Sequence, residues 1–210
     1  MSASAFRRRP PAVDPFLTSE VLLRQLLQEH AGLLQQVAHL RASQPRADHD
    51  PLTGLGTRPY VEARVVQELS RAEGNPSCSG SLVLMDVDEL RSTRARHGAA
   101  VSNRALRWVA KVLRECLRLS DVACRGGDRF MALLCDTDTF GAAEVVGRLR
   151  SEIGRAEGQR WLPGPVSVGI AAWPDDAFTP SSLNDIAAVR LREDRQRRRA
   201  QRRPHLTLIP

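Results

Sequence analysis

Aromatic residues are scarce in this chain: five Phe, three Trp and one Tyr among 210 residues. A core must therefore be assembled from aliphatic side chains, and a hydrophobic fraction of 42% supplies enough of them for one domain of ordinary size plus an appendage. Cysteine is sparse too. Cys78, Cys116, Cys124 and Cys135 include no Cys-x-x-Cys pair, which argues against structural zinc and for the reduced thiols of a cytoplasmic protein. No apolar run approaches the roughly 18–20 residues that a membrane span needs. Arg7, Arg8 and Arg9 lead into Pro10, Pro11, Asp14 and Pro15 rather than into the apolar core of a signal peptide.

The net charge of +7 is concentrated at the two ends. Residues 190–203 hold eight arginines against Glu193 and Asp194, a local +6, and Arg7 to Arg9 add +3, leaving −2 on everything else. A nucleic-acid-binding body would instead spread basic residues over its folded surface. Nucleic acid is therefore a disfavoured partner, and only the arginine-rich tail argues for it.

Residues 1–16 are rich in Pro and Arg and read as disordered. Over 17–43 a helix is predicted, capped by Thr18. Its Leu23, Leu26, His30, Leu33, Val37 and Leu40 alternate spacings of three and four, a coiled-coil seam that implies a homodimer. The same stripe could pack back on its own domain. A linker with Pro45 follows. The loop Asp48 to Arg58 leads into a helix through about Arg71. Ser81 to Val87 is a continuous apolar strand, of the kind buried on both faces, ending at Asp86 and Asp88. Carboxylates two apart on a strand share a face and make a plausible seat for a divalent cation. A capping Asp beside a solvated one reads equally well.

Val101 to Leu119 has an amphipathic helical pattern, with Leu106, Val109, Ala110, Leu113 and Leu117 on one face. Val122 to Cys124 and Phe130 to Leu134 flank Gly126, Gly127 and Asp128, a hairpin signature. A helix over Thr139 to Ala156 turns Ala143, Val146, Leu149 and Ile153 inward, and Val166 to Ala172 is a further strand. A last helix from Ser182 carries Leu183, Ile186, Ala187 and Leu191 before dissolving into arginines, and His205 to Ile209 suits a short edge strand. The order is that of an α+β fold, a sheet containing antiparallel strands with helices packed on it.

Several separated segments together resemble one family, the GGDEF (diguanylate cyclase) domain. They are Asp50-Pro51-Leu52-Thr53-Gly54-Leu55 with Arg58; Asp86-Val87-Asp88; Arg118-Leu119-Ser120-Asp121; Gly126-Gly127-Asp128-Arg129-Phe130; and Ser167-Val168-Gly169-Ile170-Ala171. The resemblance spans 48–195 and leaves 196–210 as a basic tail. It implies the palm-like nucleotidyl-cyclase fold, a central mixed sheet with flanking helices. It also implies a reaction in which two GTP molecules, one per subunit of a dimer, condense to cyclic di-GMP with Mg²⁺ held by Asp86, the Val87 carbonyl and Asp128.

Measured against that family the catalytic positions are eroded. Arg129 replaces the signature Glu, and two like unit charges about 4 Å apart repel by roughly 4 kcal/mol at an effective dielectric near 20. Arg94 and Asn103 stand at the guanine-reading positions, Leu90 replaces a Phe, and Arg91 and Arg192 stand in for phosphate-side lysines. The hairpin is one residue short, which flips side-chain facing unless a bulge absorbs it and puts the orientation of Asp128 in question. Mg²⁺ and turnover are doubtful on these grounds. Arg118 and Asp121 resemble the family's inhibitory cyclic di-GMP site, which Arg148 would complete, although a plain Arg118–Asp121 ion pair fits the pattern as well. The expectation is a dimeric, catalytically degenerate signalling protein that binds cyclic di-GMP, another guanine nucleotide or a protein partner. An active cyclase and a nucleotide-free interaction module are the alternatives.

Overall fold

The computed structural model describes residues 48–75, 77–155 and 164–202, together with helical positions at 23, 24, 27, 28, 30 and 32. The chain divides into two units, 1–46 and 47–210. In the first, Leu23, Leu27 and His30 lie on a helix and are exposed. The rest of the seam expected over 17–43, the segment 1–16 expected to be disordered and the strand expected at 205–209 fall outside the described residues.

The second unit is an α+β domain. In chain order its elements are β1 (Gly56–Thr57), α1 (Arg58–Glu73), β2 (Gly80–Val87), α2 (Leu90–Cys116), β3 (Val122–Gly126), β4 (Arg129–Cys135), α3 (Thr139–Gly154), β5 (Val166–Trp173) and α4 (Pro180–Arg202). The five strands form one sheet in the order β1-β3-β4-β2-β5. It is mixed, because β1 runs parallel to β3 while the other pairs are antiparallel. The two-residue periodicity of β2 and β4 builds two cores. Val83, Met85, Phe130, Ala132 and Leu134 face α2 and α3, whereas Leu82, Met131, Leu133 and Cys135 face α1 and α4. The central strands are thus buried on both sides, as their unbroken apolar sequence requires.

Two glycines allow the layers to approach. A Cβ at Gly169 would lie 1.9 Å from the Ala187 carbonyl oxygen, so α4 sits directly on the β5 backbone. One at Gly80 would lie 2.0 Å from the buried Trp173 ring. All four cysteines are free. Burial pushes the Cys124 thiol up to about 12 and that of Cys135 to about 11, which keeps both protonated. Among the described residues no helix is long and apolar enough to cross a membrane.

Four sequence expectations are corrected by the structure. The helix predicted from Val101 begins at Leu90, because Gly98 (φ 84) joins two helical stretches across a kink that period-3.6 patterning does not bridge. It ends at Cys116, so Arg118 and Asp121 stand on a turn rather than on the helix. On α3 the inward small residue is Ala142 and not Ala143, which is exposed. The basic segment after 195 is not a tail from its first residue, since α4 runs on to Arg202.

Candidate functional site

The opening loop is built around one buried carboxylate. Asp50 Oδ1 accepts from the backbone N–H of Thr53 at 3.0 Å and from its hydroxyl at 2.7 Å, the local turn that an Asp–Thr pair encodes. Arg125, the last residue but one of β3, donates from Nε and Nη2 to the two Asp50 oxygens at 2.7 Å each. Its Nη1 donates to the Gly127 carbonyl at the hairpin tip. Arg114 of α2 holds the same loop through the Thr53 carbonyl at 2.5 Å. One guanidinium therefore ties the loop, β3 and the tip together.

The fork from Arg125 holds the Asp50 carboxyl down from 3.8 to about 2. A carboxylate whose folded pKa is depressed adds stability above its unfolded value and loses it as pH falls through the folded one. The gap corresponds to about 2 kcal/mol, present at pH 5 and dissipated between roughly pH 4 and 2. Urea unfolding of wild type and Asp50→Asn should therefore show a stability difference at pH 5 that shrinks across that window. A difference constant with pH would show that the fork contributes no linkage.

The hairpin tip, the end of β2, the start of α2 and the end of α4 enclose a cavity of about 590 Å³. Asp86 and Val87 come from β2, Arg91 from α2, Gly126 to Arg129 from the hairpin, and Arg195 and Arg199 from α4. The missing hairpin residue is absorbed by the turn and not by a bulge. Pairing runs unbroken from Val122↔Leu133 to Gly126↔Arg129, leaving a two-residue Gly127-Asp128 connection with Gly127 at φ 67. Asp128 consequently lines the cavity.

Asp86, Asp88 and Asp128 each meet an arginine. The Arg195 Nη2 is in close contact with Asp86 Oδ2, and its Nε lies 3.4 Å from Asp88. Arg129 stands opposite Asp86 in the β2–β4 register, with Nε 3.5 Å from it. Arg91 approaches Asp128 at 3.6 Å. The Ser167 hydroxyl donates to both oxygens of Asp88, at 2.7 and 2.9 Å. A divalent cation such as Mg²⁺ needs about six oxygen donors in a regular shell. Among the described residues no group of three or more His, Cys, Asp or Glu side chains lies together, so any Mg²⁺ here would rest on one or two carboxylates, and Asp86 and Asp128 already face arginines.

The second candidate site is the turn before β3. Asp121 accepts from the Arg118 backbone N–H at 2.9 Å through Oδ2 and from the Cys135 N–H at 3.1 Å through Oδ1. The ordinary Arg118–Asp121 side-chain ion pair is not formed. The Arg118 guanidinium is exposed, and among the described residues nothing pairs with it. Arg148 on α3 is exposed too, and lies near enough to Cys116 that its charge lowers that thiol's pKa against the dominant raising effect of burial. Arg148 thus stands beside the end of α2, two residues before Arg118.

Of the other positions singled out from sequence, Arg94, Asn103 and Arg192 do not line the cavity. Arg192 is one helical turn upstream of Arg195, which reaches the carboxylates instead. Sequence reasoning missed Arg195. The signal was present: Leu183, Ala187 and Leu191 continue one inward face, and the next turn of that face is Asp194-Arg195.

The profile of the family described as "Diguanylate cyclase, GGDEF domain" matches residues 47–201. The chain is 26% identical over 163 residues to the probable diguanylate cyclase DgcT of Escherichia coli, covering 75% of this chain and 35% of DgcT. It thus spans about a third of that relative's length. A sensory box/GGDEF family protein from Caulobacter crescentus superposes with a TM-score of 0.63 at 28% identity, over 72% of this chain and 99% of the other. The GGDEF domain of DgcB from Caulobacter crescentus, solved in complex with c-di-GMP, shares the fold with a TM-score of 0.64 at 20% identity, over 73% and 92% of the two chains.

Proposed function

The chain belongs to the GGDEF domain family, and from that premise we propose that it binds cyclic di-GMP as a signal without making it. The observation that carries this reading is the contrast between the two sites. In the cavity Asp86 and Asp128 are paired with arginines. At the turn the Arg118 guanidinium is exposed and has no partner among the described residues, beside an Asp121 already oriented by two backbone donors. A phosphate or guanine edge is well matched by an exposed guanidinium fork next to a fixed acceptor. DgcB carries cyclic di-GMP on the same fold, which supports a dinucleotide as the ligand class. Calorimetric titration of the full chain with cyclic di-GMP tests the reading, and no heat at tens of micromolar overturns it.

A protein partner is the second reading. Leu119, within the same turn, and Phe140, at the start of α3, are large apolar side chains left 108% and 75% exposed, which a protein partner would cover. In either reading the protein acts as a homodimer through the stripe over 17–43. Light scattering should report a dimer for the full chain and a monomer for a chain beginning at Arg46; two monomers would remove the dimer from the proposal.

A further inference from the structure

The cavity balances its own charge. Four carboxylates, Asp86, Asp88, Glu89 and Asp128, gather around it with four guanidinium groups, those of Arg91, Arg129, Arg195 and Arg199. The arginines are not equivalent. Arg129 and Arg91 are 68% and 93% exposed and reach their carboxylates only at 3.5 and 3.6 Å. Arg195 is 26% exposed, and it bridges Asp86 and Asp88, which are 12% and 10% exposed. In that partly dry setting its charge is little screened by water or salt. Its backbone is fixed as well: α4 is seated on β5 through Gly169. The next residue back, Asp194, accepts from the Val168 N–H at 2.9 Å and from Arg150 at 2.6 Å. The guanidinium is therefore delivered to the carboxylates by a rigid arm.

We propose that Arg195 is a tethered counter-ion: its guanidinium takes the place of a divalent cation between Asp86 and Asp88, so that the chain's own last helix closes a latent cation site. A carboxylate pair left without a cation at this burial would repel itself, and the arginine relieves that repulsion in every folded molecule, independent of metal supply. Cation binding would first have to break the bridge and leave a half-buried guanidinium unpaired. This deepens the reading that the cavity does not run cyclase chemistry, and it concerns only the cavity and not the turn at Arg118.

The test uses Mn²⁺, read by electron paramagnetic resonance, on the full-length protein. Wild type should show no saturable Mn²⁺ binding below the millimolar range. Arg195→Met, which keeps the apolar stem against the sheet but removes the charge, should tighten Mn²⁺ binding by roughly ten-fold or more. Adding Asp86→Asn to that variant should abolish the gain. Saturable, Asp86-dependent binding by wild type overturns the inference, as does a folded Arg195→Met that binds no better than wild type. Should Arg195→Met fail to fold, wild type still decides: its melting temperature should be the same in EDTA and in millimolar Mn²⁺, and a metal-dependent rise refutes the proposal. Mn²⁺ binding without cyclic di-GMP synthesis would sink this inference alone, whereas synthesis by wild type would sink the proposed function.

Discussion

Purified full-length protein incubated with GTP and Mg²⁺ is expected to release no cyclic di-GMP detectable by chromatography. The reaction needs cations to neutralise the α-phosphate and to activate a ribose hydroxyl. Here Arg195 and Arg129 face Asp86, and Arg91 faces Asp128. Guanine discrimination depends on matched buried donors and acceptors, and neither Arg94 nor Asn103 lines the cavity. Removing a single preorganised electrostatic stabiliser costs about 10²–10³ in rate, so two independent losses already carry turnover below roughly 10⁻⁴ of an intact site. Arg129→Glu alone should not restore it. That change leaves Arg195 on Asp86 and leaves the base-reading positions as they are. Robust product formation that disappears in Asp86→Ala would overturn the prediction.

Most of the fold was legible because burial on both faces writes itself plainly into a sequence. β2 and β4 read as unbroken apolar runs, and the Gly126-Gly127 signal placed the hairpin to within two residues. The start of α2 was not legible. Its first eight residues, Leu90-Arg91-Ser92-Thr93-Arg94-Ala95-Arg96-His97, bury only Leu90 and Thr93, too few to show a helical period. The site was legible as residue types and opaque as contacts. Asp86, Asp128 and Arg129 stand out by position in the family pattern, but what neutralises Asp86 arrives from 109 residues further along the chain. The bridge from Arg125 to Asp50 spans 75 residues and was equally hidden, although both residues lie beside motifs. The facing of Asp128 in the shortened hairpin was opaque too: a two-residue turn carries it to the cavity wall, where its partner is Arg91.

Cyclic di-GMP is expected to bind the full chain at Arg118 and Asp121, and Arg118→Ala to weaken that binding by roughly ten- to a hundred-fold, the equivalent of losing one charge-assisted fork worth about 1.5–3 kcal/mol. The argument rests on separable requirements. The cavity lies at the tip end of β3 and the turn at its start, some five residues or about 16 Å apart along an extended strand. The arginine pairs that close the first therefore leave the second untouched. Asp121 is held in place by the Arg118 and Cys135 N–H groups, each taking one carboxylate oxygen and leaving further lone pairs for a guanine edge. Because those bonds also define the turn, Asp121→Ala should cost affinity and loosen the turn together. Asp121→Asn, which keeps one acceptor, should cost affinity with less effect on stability. Arg148→Ala should weaken binding by less than Arg118→Ala, since Arg148 stands on α3 and would contribute from outside the turn. Raising salt should weaken wild type more than Arg118→Ala, because the fork is exposed and therefore screened. If wild type binds with the same affinity as Arg118→Ala and Asp121→Ala, the dinucleotide does not sit at this turn, and the exposed Leu119 there belongs to a protein interface instead.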